Sequence, residues 1–351
     1  MSVPIKVRSE RENYLQAIEF RCPAWIPINY HLYPSLHARY GERLRSLQRR
    51  HPLIFDPADI GRESVERRDP LLNDDTYSED DWGCTWHNAR GGTVGQVVKH
   101  PLADWSDLHA LRIPNPEAQE DWAKLREEAR RTRDRGKPVI GGPRSFATGG
   151  FFDRLHFLRG LENFCIDLLT DPPELAELIQ CVLDYNLRYI RLWLETGVDV
   201  MYFHGDLGTQ NGLLISPEAF RKHLKPAYRE MFQMCRAAGV HVHYSSDGNI
   251  LEIVDDLIEC GVSLHDPQVG ANGIDAIARA YKGRLCAMVD IDEQRLPLWT
   301  PNEVEAQVRE IVQKVATPEG GLMLLACPTE DVPLENLEAI CTAWEKHGRG
   351  R

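Results

Sequence analysis

The chain has 351 residues, of which 42% are hydrophobic and 27% charged, enough for one large α/β domain with a substantial core. Its 53 acidic and 41 basic side chains leave a net charge of −12. That field repels phosphate backbones and no basic stripe offsets it, so nucleic acid is not an expected partner. Nine cysteines are scattered with no CxxC spacing, which removes zinc-ribbon and thioredoxin-type pairs. The opening "MSVPIKVRSERENYLQAIEF" has no apolar leader, and no window reaches the roughly 18 apolar residues of a membrane helix. A cytoplasmic protein without a membrane partner is expected.

In chain order, "AWIPINY" is a candidate first strand. Residues 50–136 are rich in charge, Trp, Gly and Pro. They suggest a hairpin in "DDWGCTWHNARGGTVGQVVKH" and a polar helix in "EAQEDWAKLREEARRTRDRG". A structureless stretch of that length is uncommon, so an insertion or lid is expected, with Trp82 and Trp86 in its core. From residue 137 the pattern is regular. "KPVIGGP" is a strand, and a helix follows over about Phe152 to Leu169. The next helix opens at "TDPPELAEL", with Asp171 as cap and Glu174 completing the box. "VDVMYFHGD" is a strand, followed by a helix capped by Ser216, then the strand "VHVHYSSDG" and a helix ending on Gly261. "SLHDPQ", "RLCAMVDID" and "GLMLLACP" complete the strands, with a Thr300–Glu303 capping box between the last two.

Strands alternating with amphipathic helices imply βαβ units and a parallel sheet. Six strands in the last 215 residues plus the first candidate suit a (β/α)8 TIM barrel of one domain over 1–351, with the N-terminal insertion as a lid. No Gly-rich nucleotide fingerprint follows any strand.

Barrel enzymes build their sites at strand carboxyl ends. Here those ends carry Arg144; His204 and Asp206; Ser245 and Asp247; His265, Asp266 and Gln268; Asp290 and Asp292; and Cys327 and Glu330. Six polar strand ends favour a convergent pocket, hence an enzyme, over a scaffold. His241 and His243 share a strand face with Ser245 and Asp247. His241 is as well explained by packing as by function, and Asp290 or Asp292 by capping the segment that follows. Cys327 could be a small buried hydrophobe. A metal reading would use His243, Asp247 and Cys327, whereas an acid–base reading needs only the crowded carboxylates Asp206, Asp247 and Asp266. No tight ligand spacing chooses between them.

The runs "DLGTQNGLLISPEAFRKHLKPAYREMF", "GVHVHYSSDGNILEIVDDLIECGV", "DPQ", "DIDEQRLP" and "VPLENLEAI" resemble the uroporphyrinogen decarboxylase superfamily. So do "DDWGCTW" and "GGFFDRLHFLRGLENF". The likeness is to its decarboxylase-like branch near the corrinoid-linked methyltransferases. It implies a (β/α)8 barrel with a deep cleft at the strand carboxyl ends.

Two departures narrow the function. The arginine-rich RQAGR segment of true uroporphyrinogen decarboxylases has no counterpart in "INYHLYPSLHARYGER". The methyltransferase relatives hold zinc with a His-x-Cys pair before a glycine and a later Cys. Here Ser245 and Asp247 fall at the pair, Cys327 lies within a residue of the later ligand, and His243 sits one pleat deeper. The resemblance therefore implies methyl transfer to a corrinoid protein or thiol. On this reading the strand-end residues are expected to act as follows: His204, Asp206 and Asp247 in catalysis; Arg144, Ser245, Asp266, Gln268 and Asp290 on the substrate; and His243 and Cys327 on zinc. Partners would be a small molecule, a corrinoid protein and a second copy of the chain. Decarboxylation of a carboxylated, tetrapyrrole-like substrate and a non-catalytic binding barrel are the alternatives.

Overall fold

The computed structural model describes residues 9–61, 75–88, 95–142 and 150–349. In chain order its strands are β1 Ile28–Tyr30, β2 Thr76–Glu79, β3 Thr85–Asn88, β4 Gln96–Lys99, β5 Ile140–Gly141, β6 Val200–His204, β7 His241–Ser245, β8 Leu264–His265, β9 Cys286–Asp290 and β10 Leu322–Ala326. The chain divides into two compact units, one of Met1–Val65 with Ser263–Arg351, the other of Glu66–Val262. Each is α/β. Among the described residues no helix is long and apolar enough to cross a membrane.

In the first unit β1, β10, β9 and β8 pair in that order, all parallel. β9 is buried at all five positions, as expected of a parallel strand covered on both faces. The helices Pro301–Val315 and Leu334–His347 pack together, and Val304, Val308 and Ile311 of the first and Leu337, Ile340 and Trp344 of the second are buried. The Thr300–Glu303 box is formed: the Glu303 carboxylate accepts from the Thr300 amide at 2.7 Å and its hydroxyl at 2.8 Å. The Tyr30 hydroxyl donates to Leu337 O, and the His265 ring stacks on Tyr281 of the helix Ile274–Tyr281. Tyr30 and His265 thus mark the helix-covered side. By alternation and register, His31, Asp266, Cys286, Met288, Asp290, Leu325 and Cys327 belong to the opposite face.

In the second unit β5, β6 and β7 are parallel, and β2, β3 and β4 form a separate antiparallel sheet within the stretch expected as an insertion. Phe203 packs edge-on against Phe232, and Tyr244 against Tyr228 and Phe232, all on the helix Lys225–Ala237. The register then puts Tyr202, His204, His241, His243 and Ser245 on the other face. Trp82 and Trp86 are buried, as expected. Asp80 accepts from the Trp86 indole at 3.0 Å and pairs with the buried Arg154 at 2.7 Å, which fastens the antiparallel sheet to the helix Phe151–Arg159.

Two local expectations are corrected. The helix expected over Phe152 to Leu169 is two helices, Phe151–Arg159 and Leu161–Thr170, broken at Gly160 with φ 84°. Asp171 does not cap the next helix, which starts at Pro173 after Pro172. It ends the preceding helix in the left-handed region, and its carboxylate takes Lys222 instead.

Candidate active site

His204 ends β6 on the face away from the helices. Its Nδ1 lies 3.1 Å from Asp153 Oδ2, and its Nε2 lies 3.3 Å from Asp206 Oδ1. Asp153 comes from the helix Phe151–Arg159 and is only 5% exposed. Its other oxygen accepts from the Asp206 amide at 3.2 Å and faces His156 Nε2 at 3.6 Å. Burial by itself would raise this carboxyl. The hydrogen bonds and charges of His156 and His204 outweigh it and hold Asp153 well below the usual carboxylate range. An ionised Asp153 holds the His204 ring with Nδ1–H toward it, which leaves Nε2 facing Asp206. Asp206 is the solvent-facing end of this chain, its side chain 40% exposed.

Glycine makes this geometry possible. A Cβ on Gly150 would lie 2.1 Å from Asp153 Oδ2 and 2.5 Å from His204 O, so only glycine lets the helix start reach the strand end. The loops after β6 and β7 meet just as closely. Gly248 has φ 79°, and a Cβ there would lie 2.4 Å from the Gly208 carbonyl carbon. The amide of Asp247 donates to Asp206 Oδ1 at 3.0 Å, and Ser246 Oγ accepts from the Leu207 amide at 3.1 Å.

The expected residues of this unit fare differently. His204 and Asp206 converge. Asp247 joins them through its backbone, with its side chain exposed. Ser245 is half-buried beside them, its carbonyl accepting from the Gly205 amide. His243 is buried one pleat deeper, edge-on to Tyr202 at 5.1 Å. His241 Nδ1 accepts from Arg236 at 2.8 Å, the packed reading of that residue. Arg144 lies outside the described residues. Asp153 and His156 are absent from the sequence-based expectations, although D-x-x-H at helical spacing places both on one helix face.

The first unit gathers a second cluster. Asp290 is 7% exposed, and its Oδ1 accepts from the Val269 amide at 2.5 Å, at the start of the helix Val269–Asn272 that Gln268 precedes. Burial raises Asp290 to about 7; the negative charges of Glu293, Asp292 and Asp266 add to this, and the Val269 amide opposes it. The Cys327 thiol is also raised, by burial first and then by Glu293, Asp266 and Asp290, with a Tyr33 hydrogen bond acting the other way. Asp292 is the capping residue of the pair: its Oδ1 accepts from the Arg295 amide at 3.2 Å.

Among the described residues no three or more His, Cys, Asp or Glu side chains are grouped to hold a metal ion. His243 belongs to one unit and Cys327 to the other.

The model of the uroporphyrinogen decarboxylase (URO-D) family matches residues 79–347. The chain belongs to the URO-D family. No curated protein matches it. Among solved structures it is similar to a methyltransferase from Methanosarcina mazei, at 16% identity and TM-score 0.68, over 97% of this chain and 99% of that one. A B12-independent methionine synthase from Shewanella sp. W3-18-1 aligns at 10% identity and TM-score 0.38, over 78% and 73%. This URO-D family member thus shares its fold along its whole length with the first of these structures.

Proposed function

We propose that this URO-D family protein is a barrel enzyme that transfers a methyl group from a small molecule, with His204 supplying the proton the reaction consumes. The fold reading that goes with it is a (β/α)8 barrel, lidded by the stretch around residues 50–136. The Asp153–His204–Asp206 chain carries the reading: a buried fixed anion orients an imidazole whose second nitrogen faces an exposed carboxylate. When the methyl–heteroatom bond breaks, its electron pair stays on the leaving heteroatom and the methyl passes to the acceptor. A proton from His204 Nε2 then quenches that pair, and the exposed Asp206 relays a proton from solvent back to the ring. Asp153 holds the ring and does not itself exchange the proton. The acceptor is a thiol or a corrinoid on a partner protein, and no step is assigned to a metal. The likeness to a methyltransferase over nearly all of both chains supports this reading.

Decarboxylation would use the same proton on the carbanion left by CO2. The test is methyl transfer from methoxy and methylammonium donors to a thiol and to a reduced corrinoid, with wild type and His204→Gln. Methyl transfer that falls about 10²- to 10⁴-fold in the variant supports the proposal. CO2 released from uroporphyrinogen instead would overturn it in favour of decarboxylation, and tight binding without turnover would point to a binding barrel.

A further inference from the structure

The turn after β9, residues 292–300, walls one side of an open cleft of about 550 Å³, a usual size for a small-molecule site. The helices Val269–Asn272, Ile274–Tyr281 and Pro301–Val315 supply the rest, so the cleft lies wholly within the first unit. The turn is held in place. Asn336, wholly buried, donates to Leu296 O at 2.9 Å and to Trp299 O at 2.7 Å. The acids at the rim are already matched: Lys314 Nζ lies 2.7 Å from both Asp275 and Glu310, and the Glu303 carboxylate is taken up by its capping box.

Asp292 is not matched. It lines the cleft at only 6% exposure, and its Oδ1 accepts from the Arg295 amide at 3.2 Å. Among the described residues its Oδ2 accepts nothing and no cation pairs with it. A buried carboxylate served by one amide is costly, and a cationic donor removes that cost. The same cleft is lined by three side-chain donors: Gln307 Nε2, the Trp299 indole N–H and the Arg295 guanidinium, which lies over the Trp299 ring at 5.1 Å. Among the described residues none of the three donates a hydrogen bond; Gln307 spends only its Oε1, on the Asp292 amide at 3.1 Å. An anion without a cation and donors without an acceptor thus share one space. Its remaining walls include Val269, Ile274 and Ala306, which are apolar. A ligand that satisfies both sets carries a positive and a negative group on an apolar body.

We propose that this cleft binds an apolar α-amino acid as its zwitterion, with the ammonium on Asp292, the carboxylate on Arg295 and Gln307, and the side chain against Val269 and Ile274. No step of the reaction proposed above enters, so the binding stands or falls separately from it. The probes are L-leucine, its deaminated analogue 4-methylpentanoate and its decarboxylated analogue 3-methylbutylamine, by calorimetry on the full chain at pH 7. Leucine should bind at least about 10-fold tighter than either analogue, because each analogue forfeits one charged contact. Asp292→Asn keeps an acceptor for the Arg295 amide; it should weaken leucine about 10-fold and leave 4-methylpentanoate unchanged. Arg295→Gln, at an exposed position, should weaken leucine and 4-methylpentanoate about 5-fold and leave the amine unchanged. Equal binding of the three probes, tightest binding of either analogue, or a leucine Kd weaker than about 10 mM overturns the site. So does a folded Asp292→Asn variant that binds leucine like wild type. If that variant fails to fold, the probe ranking on wild type and on Arg295→Gln decides.

Discussion

Asp153 and Asp290 are buried to nearly the same extent, 5% and 7% exposed, yet their proton affinities move in opposite directions. Burial pushes both carboxyls up. Around Asp153 two imidazoles, His156 and His204, reverse that push. Around Asp290 one amide faces three carboxylates and the push is reinforced. Partners, not depth, decide the sign. One aspartate is a fixed anion that orients the His204 ring; the other holds or releases a proton near neutrality.

The largest expected effect is on the ring that Asp153 orients. His204→Gln keeps a polar side chain at the end of β6 but removes the exchangeable proton, so kcat for methyl transfer should fall about 10²- to 10⁴-fold. If the fall is under about 3-fold, with the pH profile unchanged, His204 is not the proton donor. Next comes the anion. Asp153→Asn leaves two imidazoles without their counter-charge, and chemical denaturation at pH 7 should show a loss of about 3 kcal/mol. The folded Asp153 carboxyl lies below its unfolded value. Its stabilisation is therefore complete above about pH 4 and is lost as pH falls toward the folded value. The gap between wild type and Asp153→Asn should close below pH 4; a gap that stays constant down to pH 2 would show that charge is not the cause.

How much of this was legible beforehand follows from period and partners. The alternation in "VHVHYSSDG" placed His243 and Ser245 on one face, and β7 obeys it. All seven parallel strands occur where apolar runs end in polar residues, because a buried strand cannot hide its own ends. Asp153 was not legible as a site residue, since its helix follows a strand end that sequence reading credited to Arg144. Only the folded contact at Gly150 shows that the helix start touches His204. Asp171 misled for a different reason. Two prolines in a row pushed the helix start one residue later, out of reach of its carboxylate. For Asp247, sequence could not separate side chain from backbone.

The other aspartate should respond with the opposite sign. Asp290 keeps its proton up to about pH 7 when folded and only to about pH 4 when unfolded. The native state is therefore favoured below pH 4 and loses that advantage as pH rises through 7. Asp290→Asn keeps an acceptor for the Val269 amide and never ionises. It should be more stable than wild type by on the order of 2 kcal/mol at pH 9, with little difference at pH 4. Melting curves at the two pH values check this. A variant equally shifted at both would make packing, not charge, the cause.

The smallest effect separates Asp247 from its neighbour. Its amide donates to Asp206 and its carboxylate is exposed, so Asp247→Ala retains the contact that shapes the site. Stability should change by less than about 0.5 kcal/mol. Methyl transfer should fall less than about 10-fold, because the proton path runs through Asp206. Asp206→Ala removes the acceptor for both the His204 ring and the Asp247 amide, and should cost more in each measurement. If Asp247→Ala matches His204→Gln in lost kcat, its carboxylate acts directly on the substrate. The proton chain would then have two exposed ends at the rim of β6 and β7, and the contrast with the buried Asp290 would lie in exposure as much as in partners.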